Sequence, residues 1–183
     1  MGADKMDIKH RLLKLLDKRK VLAVLRILII TAGLLYILFF ISNNFILDTQ
    51  INVYFSNENA MYLKAEQREI NEDEELYYQV IDELLAGPES NDLRPTIPEG
   101  VKLIDYSIKD ENITLNFNYK LRENHWGGST GEMLTVYSIV NSYTYFSEIE
   151  SVSFLLEGEK IDSLVGHLDL SRPLMYNQKL VAD

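Results

Sequence analysis

Residues 112–119 read NITLNFNY, with Ile113, Leu115, Phe117 and Tyr119 alternating against Asn112, Thr114, Asn116 and Asn118. Strict alternation is the period of a strand with one buried face, because successive side chains point to opposite sides of a sheet. Just upstream, Ile104, Tyr106 and Ile108 alternate within 102–108, and Asp110-Glu111-Asn112 reads as the connection of a hairpin. Downstream, residues 120–128 read as a loop ending in Gly127-Gly128, after which the period changes. From about Thr130 to Ser147, the residues Met133, Val136, Tyr137, Val140 and Thr144 fall on one helical stripe. Alternation returns over 151–156 with Val152, Phe154 and Leu156 inward. Glu157-Gly158 then reads as a tight turn after which 160–164 pairs back.

The same reading extends toward the N-terminus. INVYF at 51–55 is a half-buried strand, and 60–70 fits a second extended piece better than a frayed helix. From about Glu72 to Ala86, Leu76, Tyr77, Val80, Ile81, Leu84 and Leu85 form a helical stripe, while Asp73, Glu74 and Glu75 favour its N-terminal dipole. Gly87-Pro88 stops this helix with a left-handed glycine cap. Pro95 and Pro98 make 93–100 a loop, and 165–183 shows no clear period. The order β-α-β-β-α-β-β predicts an α+β domain over 51–175, two-layered, with helices on one face of a mostly antiparallel sheet. A linker at 43–50 precedes it and a tail at 176–183 follows.

Before that domain lies VLAVLRILIITAGLLYILFFI at 21–41, beginning at Val21 and ending at Ile41, with Arg26 as its one charge. At about 1.5 Å per residue the stretch reaches roughly 31 Å, close to the ~30 Å hydrocarbon thickness of a bilayer. Arg26 lies near one end, where its stem can carry the guanidinium back to the headgroups. Lys5, Lys9, Arg11, Lys14, Lys18, Arg19 and Lys20 precede the span against only Asp4, Asp7 and Asp17. The positive-inside rule therefore puts the basic tail, 1–20, in the cytoplasm and everything past about residue 45 outside. The apolar run is too long for a cleaved signal peptide, and Ser42-Asn43-Asn44-Phe45 offers no small-x-small cleavage site. The expectation is an uncleaved anchor over 21–42 in the cytoplasmic membrane. The tail has enough leucines to lie on the inner leaflet as an amphipathic helix, but an orientation signal explains it more simply.

The net charge of −10 is unevenly spread, positive before the span and strongly negative after it. An acidic body without a basic stripe repels phosphate backbones, which excludes nucleic acid as its partner. There is no cysteine, hence no disulfide, thiolate metal site, cysteine nucleophile or cysteine-linked lipid. His10, His125 and His167 fit no metal-binding spacing, and no phosphate-binding glycine loop or nucleophile elbow occurs. Neither a metal nor a cofactor is expected, and no catalytic residue is assigned. The acid run at 72–75 needs no explanation beyond the helix start, since a calcium loop is more organised.

Six residues remain as candidates for interaction. Ser129 and Glu132 have the spacing of a capping box at the second helix. An enzyme would have to join Ser129 to His167 and Asp169. GHLDLSRP at 166–173 is the densest polar cluster in an apolar frame, either a docking motif or a loop tied to the body. In the second case Asp169 accepts backbone donors, Arg172 pairs with a carboxylate, and Leu168 and Leu170 plug the core. Trp126, beside Gly127-Gly128, reads as an exposed anchor for a protein partner, as a platform for wall glycan, or as packing over the sheet.

Together these motifs resemble the GerMN domain of sporulation and spore-germination proteins. The resemblance rests on ELLAGP at 83–88, TIPEG at 96–100, ITLNF at 113–117, GSTGEML at 128–134, IVNSYTYF at 139–146, VSFLLEGEKI at 152–161 and GHLDLSRP at 166–173. It covers nearly all of 51–175. The resemblance implies a module outside the cytoplasmic membrane of Gram-positive, often spore-forming bacteria, similar in fold to ring-building motifs and without established catalytic residues. The implied role is assembly in the sporulation or germination envelope, with envelope proteins or further copies of itself as partners. Peptidoglycan binding in the vegetative envelope is the alternative. Familiar members are cysteine-linked lipoproteins, often with two copies of the domain. This chain has one copy, no cysteine and an apolar span.

Overall fold

The computed structural model describes residues 3–44, 49–71 and 75–182. Glu72, Asp73 and Glu74 of the acid run, and positions 45–48 of the expected linker, lie outside the described residues. The chain divides into two compact units, Met1–Leu47 and Asp48–Asp183.

The described residues of the first unit form one helix, α1, Ala3–Asn44. Within it Lys18–Ile37 is long and apolar enough to cross a membrane, and none of that segment is buried by protein. Helical backbone satisfies its own hydrogen bonds, so such a segment needs only an apolar solvent around its side chains. Thr31 also hides its hydroxyl, donating to the Leu28 carbonyl at 3.0 Å.

The second unit opens with β1, Thr49–Asn57, and β2, Leu63–Ile70, paired antiparallel from Thr49↔Ile70 to Ser56↔Leu63. Asn57 holds the turn between them, its Oδ1 accepting the amides of Met61 and Tyr62 at 2.9 and 3.1 Å. Next come α2, Leu76–Ala86, and a two-residue strand β3, Leu93–Arg94, which pairs with β1. β3 lies inside the stretch expected to be loop. Its prolines begin only at Pro95, so neither Leu93 nor Arg94 lacks an amide, although that of Leu93 donates to the Ser90 carbonyl at 3.2 Å. Gly87 ends α2 at φ +82° and ψ 177°. The positive φ is as expected, but the ψ is extended rather than left-handed helical.

A five-stranded sheet follows. It contains β4, Leu103–Lys109, and β5, Asn112–Phe117, then β6, Ser151–Leu156, β7, Glu159–Lys160, and β8, Leu174–Met175. The order is β4-β5-β6-β7, with β8 also on β6. Every pairing in both sheets is antiparallel except β5 with β6, which is parallel in register from Asn112↔Ser151 to Phe117↔Leu156. A parallel pair needs a long crossover, and here it is α3, Lys120–Glu123, and α4, Ser129–Tyr143. The loop expected at 120–128 thus contains a turn of helix. Residues 176–182 also pack back onto the domain. The Tyr176 hydroxyl meets that of Tyr54 at 2.9 Å, and Ala182 donates to the Leu63 carbonyl at 2.9 Å.

The architecture is mixed α+β, as the periodicity predicts, with two sheets in place of one. The main core joins Ile51, Val53 and Phe55 of β1, Val80, Ile81 and Leu84 of α2, Ile139, Val140 and Tyr143 of α4, Leu115 and Phe117 of β5, and Phe154 and Leu156 of β6, and a smaller cluster joins Tyr54, Leu63 and Leu134. The expectation for β4 is corrected: Ile104 and Ile108 are both more than two-fifths exposed. A register shift between Leu103 and Asp105 turns Ile104 out of the alternation, and Ile108 sits on an edge strand beyond the cover of the helices.

Candidate functional site

α4 is the element around which the candidate residues gather. The sequence stripe recovers Val136 and Val140, which are buried, while Met133, Tyr137 and Thr144 are only half-buried. Burial continues onto the polar side of the helix, covering Glu132, Thr135, Ser138, Asn141 and Ser142 completely. Each of these has a hydrogen-bond partner. Asn141 Oδ1 accepts from the Asn177 amide at 2.9 Å, and Ser142 Oγ accepts from the Tyr54 amide at 3.1 Å. Apolar periodicity cannot register a face that is buried by polar contacts to loops.

Glu132 carries the most of this work. Its Oε1 accepts the amides of Leu164 and Val165 at 2.8 and 2.9 Å, and its Oε2 accepts that of His167 at 2.7 Å. The capping box expected between Ser129 and Glu132 does not form. The helix N-cap is Gly128, without a side-chain cap, and the Glu132 carboxylate is turned away to the 164–167 loop. From the other side Arg122 donates to the carbonyls of Leu164 at 2.8 Å and Ser163 at 2.6 Å. An anion takes the loop's amides and a cation takes its carbonyls, so one connection is clamped at both ends of its peptide dipoles. Arg122 carries no sequence signal, because its partners are backbone atoms about forty positions away.

GHLDLSRP follows directly from this clamp. Asp169 accepts the amide and hydroxyl of Ser171 at 2.9 and 2.6 Å, which holds its carboxyl below the usual range. Leu170 is buried and Leu168 partly so. Arg172 is exposed and forms no ion pair among the described residues; its charge acts on Asp169 from a longer range. The expectation of a carboxylate partner for Arg172 is corrected to that extent. Nor do hydrogen bonds join the side chains of Ser129, His167 and Asp169 among the described residues. The acid is occupied by Ser171, and His167 enters the structure through its backbone.

Trp126 lies at the opposite flank of the α4 start and is 58% exposed. Its indole stacks on the His125 ring at 5.5 Å, and it lies so close to Gly131 that a Cβ there would come within 3.3 Å of Trp126 Cδ1. A side chain at 131 would push the indole outward by a few tenths of an ångström, so glycine there favours this close seat against the helix. Gly127 and Gly128 take φ of +79° and +82°, which side-chain-bearing residues rarely adopt. His125 fixes the loop from below. Its Nδ1 accepts the Gly127 amide at 2.9 Å, so the proton sits on Nε2, which faces Thr135 Oγ1 at 3.1 Å; Thr135 in turn donates to the Thr96 carbonyl at 2.7 Å. Burial lowers the His125 pKa, against opposing effects of the Glu132 charge and the Gly131 backbone.

Between Trp126 and the β1–β2 turn opens a cleft of about 290 Å³, lined by Ser56, Ala60, Arg94, Pro95, Thr96, Trp126, Gly127, Thr130, Gly131, Leu134 and Thr135. The structure thus brings Trp126 to a cleft and Glu132 to a buried clamp. It leaves His167, Asp169 and Arg172 on the loop that the clamp holds. No group of three or more metal-ligating side chains occurs among the described residues.

Residues 52–162 match the family model described as Germane, sporulation and spore germination. Among solved structures the chain is similar to the tandem GerMN domains of the sporulation protein GerM from Bacillus subtilis, at 25% identity and a TM-score of 0.59. That match covers 73% of this chain and 47% of the other, so this chain spans about half the length of the tandem protein. The first GerMN domain of the same protein shares the fold at 22% identity and a TM-score of 0.61, over 72% of this chain and 98% of that one. A Clostridium perfringens protein described as a lipoprotein is 30% identical at a TM-score of 0.51, over 70% of this chain and 87% of that one. No curated protein matches.

Proposed function

This chain belongs to the Germane family of sporulation and spore germination, and from that premise we propose that it is a membrane-tethered, non-catalytic interaction module acting outside the cytoplasmic membrane in sporulation or germination envelope machinery. The observation that carries the proposal is an apolar helical segment, Lys18–Ile37, that is unburied among the described residues and joined in one chain to a domain with its own core. Water is a poor solvent for such a helix, and a bilayer satisfies it. The basic residues ahead of it favour an inside N-terminus. Tethering confines the domain to a thin layer, so weak lateral contacts act at high effective concentration. The exposed Trp126 and the edge strand β4 with Ile104 and Ile108 are surfaces a protein partner would cover.

Two measurements on the full chain test this. In intact protoplasts, added protease should remove a tag fused at Asp183; a protected tag overturns the topology. In-membrane crosslinking should capture a second copy or an envelope protein. Recovery of peptidoglycan alone would move the reading to a wall-binding module, and recovery of nothing would remove the interaction role.

A further inference from the structure

The cleft beside Trp126 has a chemical bias. Thr96 is 2% exposed and lines it, and Thr96 Oγ1 is the one buried side-chain polar atom among the described residues without a hydrogen-bond partner. A buried hydroxyl left unpaired costs free energy, which an acceptor in the cleft would return once a small shift of the lining opened Thr96 Oγ1 to it. The α4 N-terminus is open as well: Gly128 gives no side-chain cap, and the amides of Ser129, Thr130 and Gly131 have no acceptor among the described residues. These amides and the helix dipole favour an anion. Arg94 is the one charged residue in the lining, and Leu134, Pro95 and the indole supply apolar walls. No side-chain carboxylate or amide lines the cleft. The lining hydroxyls can donate or accept and so serve either ligand, but the cation and the helix-start amides only donate, which favours a carboxylate over a neutral sugar.

We propose that this cleft binds an apolar carboxylate, specifically the C-terminal residue of a partner polypeptide, with its α-carboxylate toward Arg94, Thr96 and the α4 start and its side chain against Trp126 and Leu134. The inference deepens the interaction reading above and rests on it. At about 290 Å³ the cleft lies just below the ~300–1,000 Å³ range of ligand sites, which suits one terminal residue rather than a long segment. Arg94 Nη1 donates to the Asn91 and Leu93 carbonyls at 2.8 Å each, and its Nη2 meets Glu58 at 3.1 Å; both side chains of that ion pair are about half exposed or more, and such surface pairs yield readily to a better-placed anion. The acidic body repels anions at a distance, yet physiological salt screens charges beyond about 8 Å.

Trp126 is the only tryptophan in the chain, so its fluorescence reports the cleft without ambiguity. The test titrates the full chain in detergent micelles with an N-acetylated tetrapeptide ending in leucine, the same peptide with a C-terminal amide, and N-acetylglucosamine. The free acid should give a saturable change and bind roughly ten-fold or more tightly than the amide, since it alone can form charge-assisted hydrogen bonds. Arg94→Gln should weaken the acid at least five-fold, and Thr96→Val should weaken it by a smaller factor. Equal binding of acid and amide, a response to the sugar alone, or no response overturns the proposal. The acid–amide comparison needs no variant, so a misfolded substitution leaves the test intact. Capture of a protein partner in membranes despite a silent cleft would sink this proposal and leave the module reading standing. A binding cleft in a chain that crosslinks to nothing would do the reverse.

Discussion

Three amides, those of Leu164, Val165 and His167, converge on a carboxylate with no solvent exposure, and removing that carboxylate orphans all of them. At about 1–3 kcal/mol per buried unpaired group, Glu132→Ala should destabilise the domain by roughly 3–5 kcal/mol, and Glu132→Gln, which keeps one acceptor, by less. Denaturant unfolding of both variants checks the order. A second buried network escaped sequence reading altogether. Arg68 is 6% exposed in β2, donating to Glu83 at 2.9 Å, to the Gly87 carbonyl at 2.9 Å and to Glu66, with its guanidinium over the Phe55 ring. Burial pushes the Glu66 pKa up, but the Glu89 and Ser90 amides and Arg68 outweigh it and hold the carboxyl below its ordinary value. A carboxylate depressed in the folded state stabilises above its unfolded pKa, and that contribution disappears as pH falls through the folded value. Glu66→Gln should therefore flatten the loss of stability on acidification below about pH 4.5, measured by thermal melts across pH. His125 has the same sign: its lowered pKa means that acid must force a proton onto Nδ1 and break the bond from Gly127. Trp126 fluorescence should change on acidification below pH 6.5, and His125→Gln should abolish that step.

Elements show where local chemistry and fold agree. The Asp110-Glu111 turn between β4 and β5 takes φ of +50° and +60°, the signature of a two-residue hairpin turn in which both residues are left-handed. Asn-Gly suits that turn better than Asp-Glu, so the pair Asp110→Asn and Glu111→Gly should stabilise by about 0.5–1 kcal/mol. A rise of a few degrees in melting temperature would bear this out; a fall would mean the turn's side chains matter elsewhere. Periodicity located β1, α2, β5 and β6 because each buries one apolar face, whereas 60–70 reads as extended without a clear period because β2 buries Leu63, Arg68 and Ile70 in no regular alternation. Periodicity placed α4 and β4 too but misjudged their burial: the polar side of α4 is as buried as the apolar one, and in β4 a register shift and an edge position expose the isoleucines. It also passed over β3 and β8, whose two residues are too few to carry any period.

For the whole molecule the dominant quantity is the separation of charge: a basic start, an apolar helix and an acidic body. Side-to-side association of acidic domains works against its own field, and added salt relieves that repulsion. Crosslinking of the full chain into homomers should therefore increase as salt is raised from about 0.01 to 0.15 M, where the Debye length shrinks from about 30 to 8 Å. A decrease would point instead to a basic partner. The sequence alone determined the apolar helix, the α+β class and the family, since those depend on runs, periods and local motifs. It could not place Arg68, Arg122 or Thr96, nor decide that Glu132 holds a loop instead of capping a helix. Those outcomes depend on backbone atoms tens of residues away, and only the closed tertiary structure brings such groups within hydrogen-bonding distance.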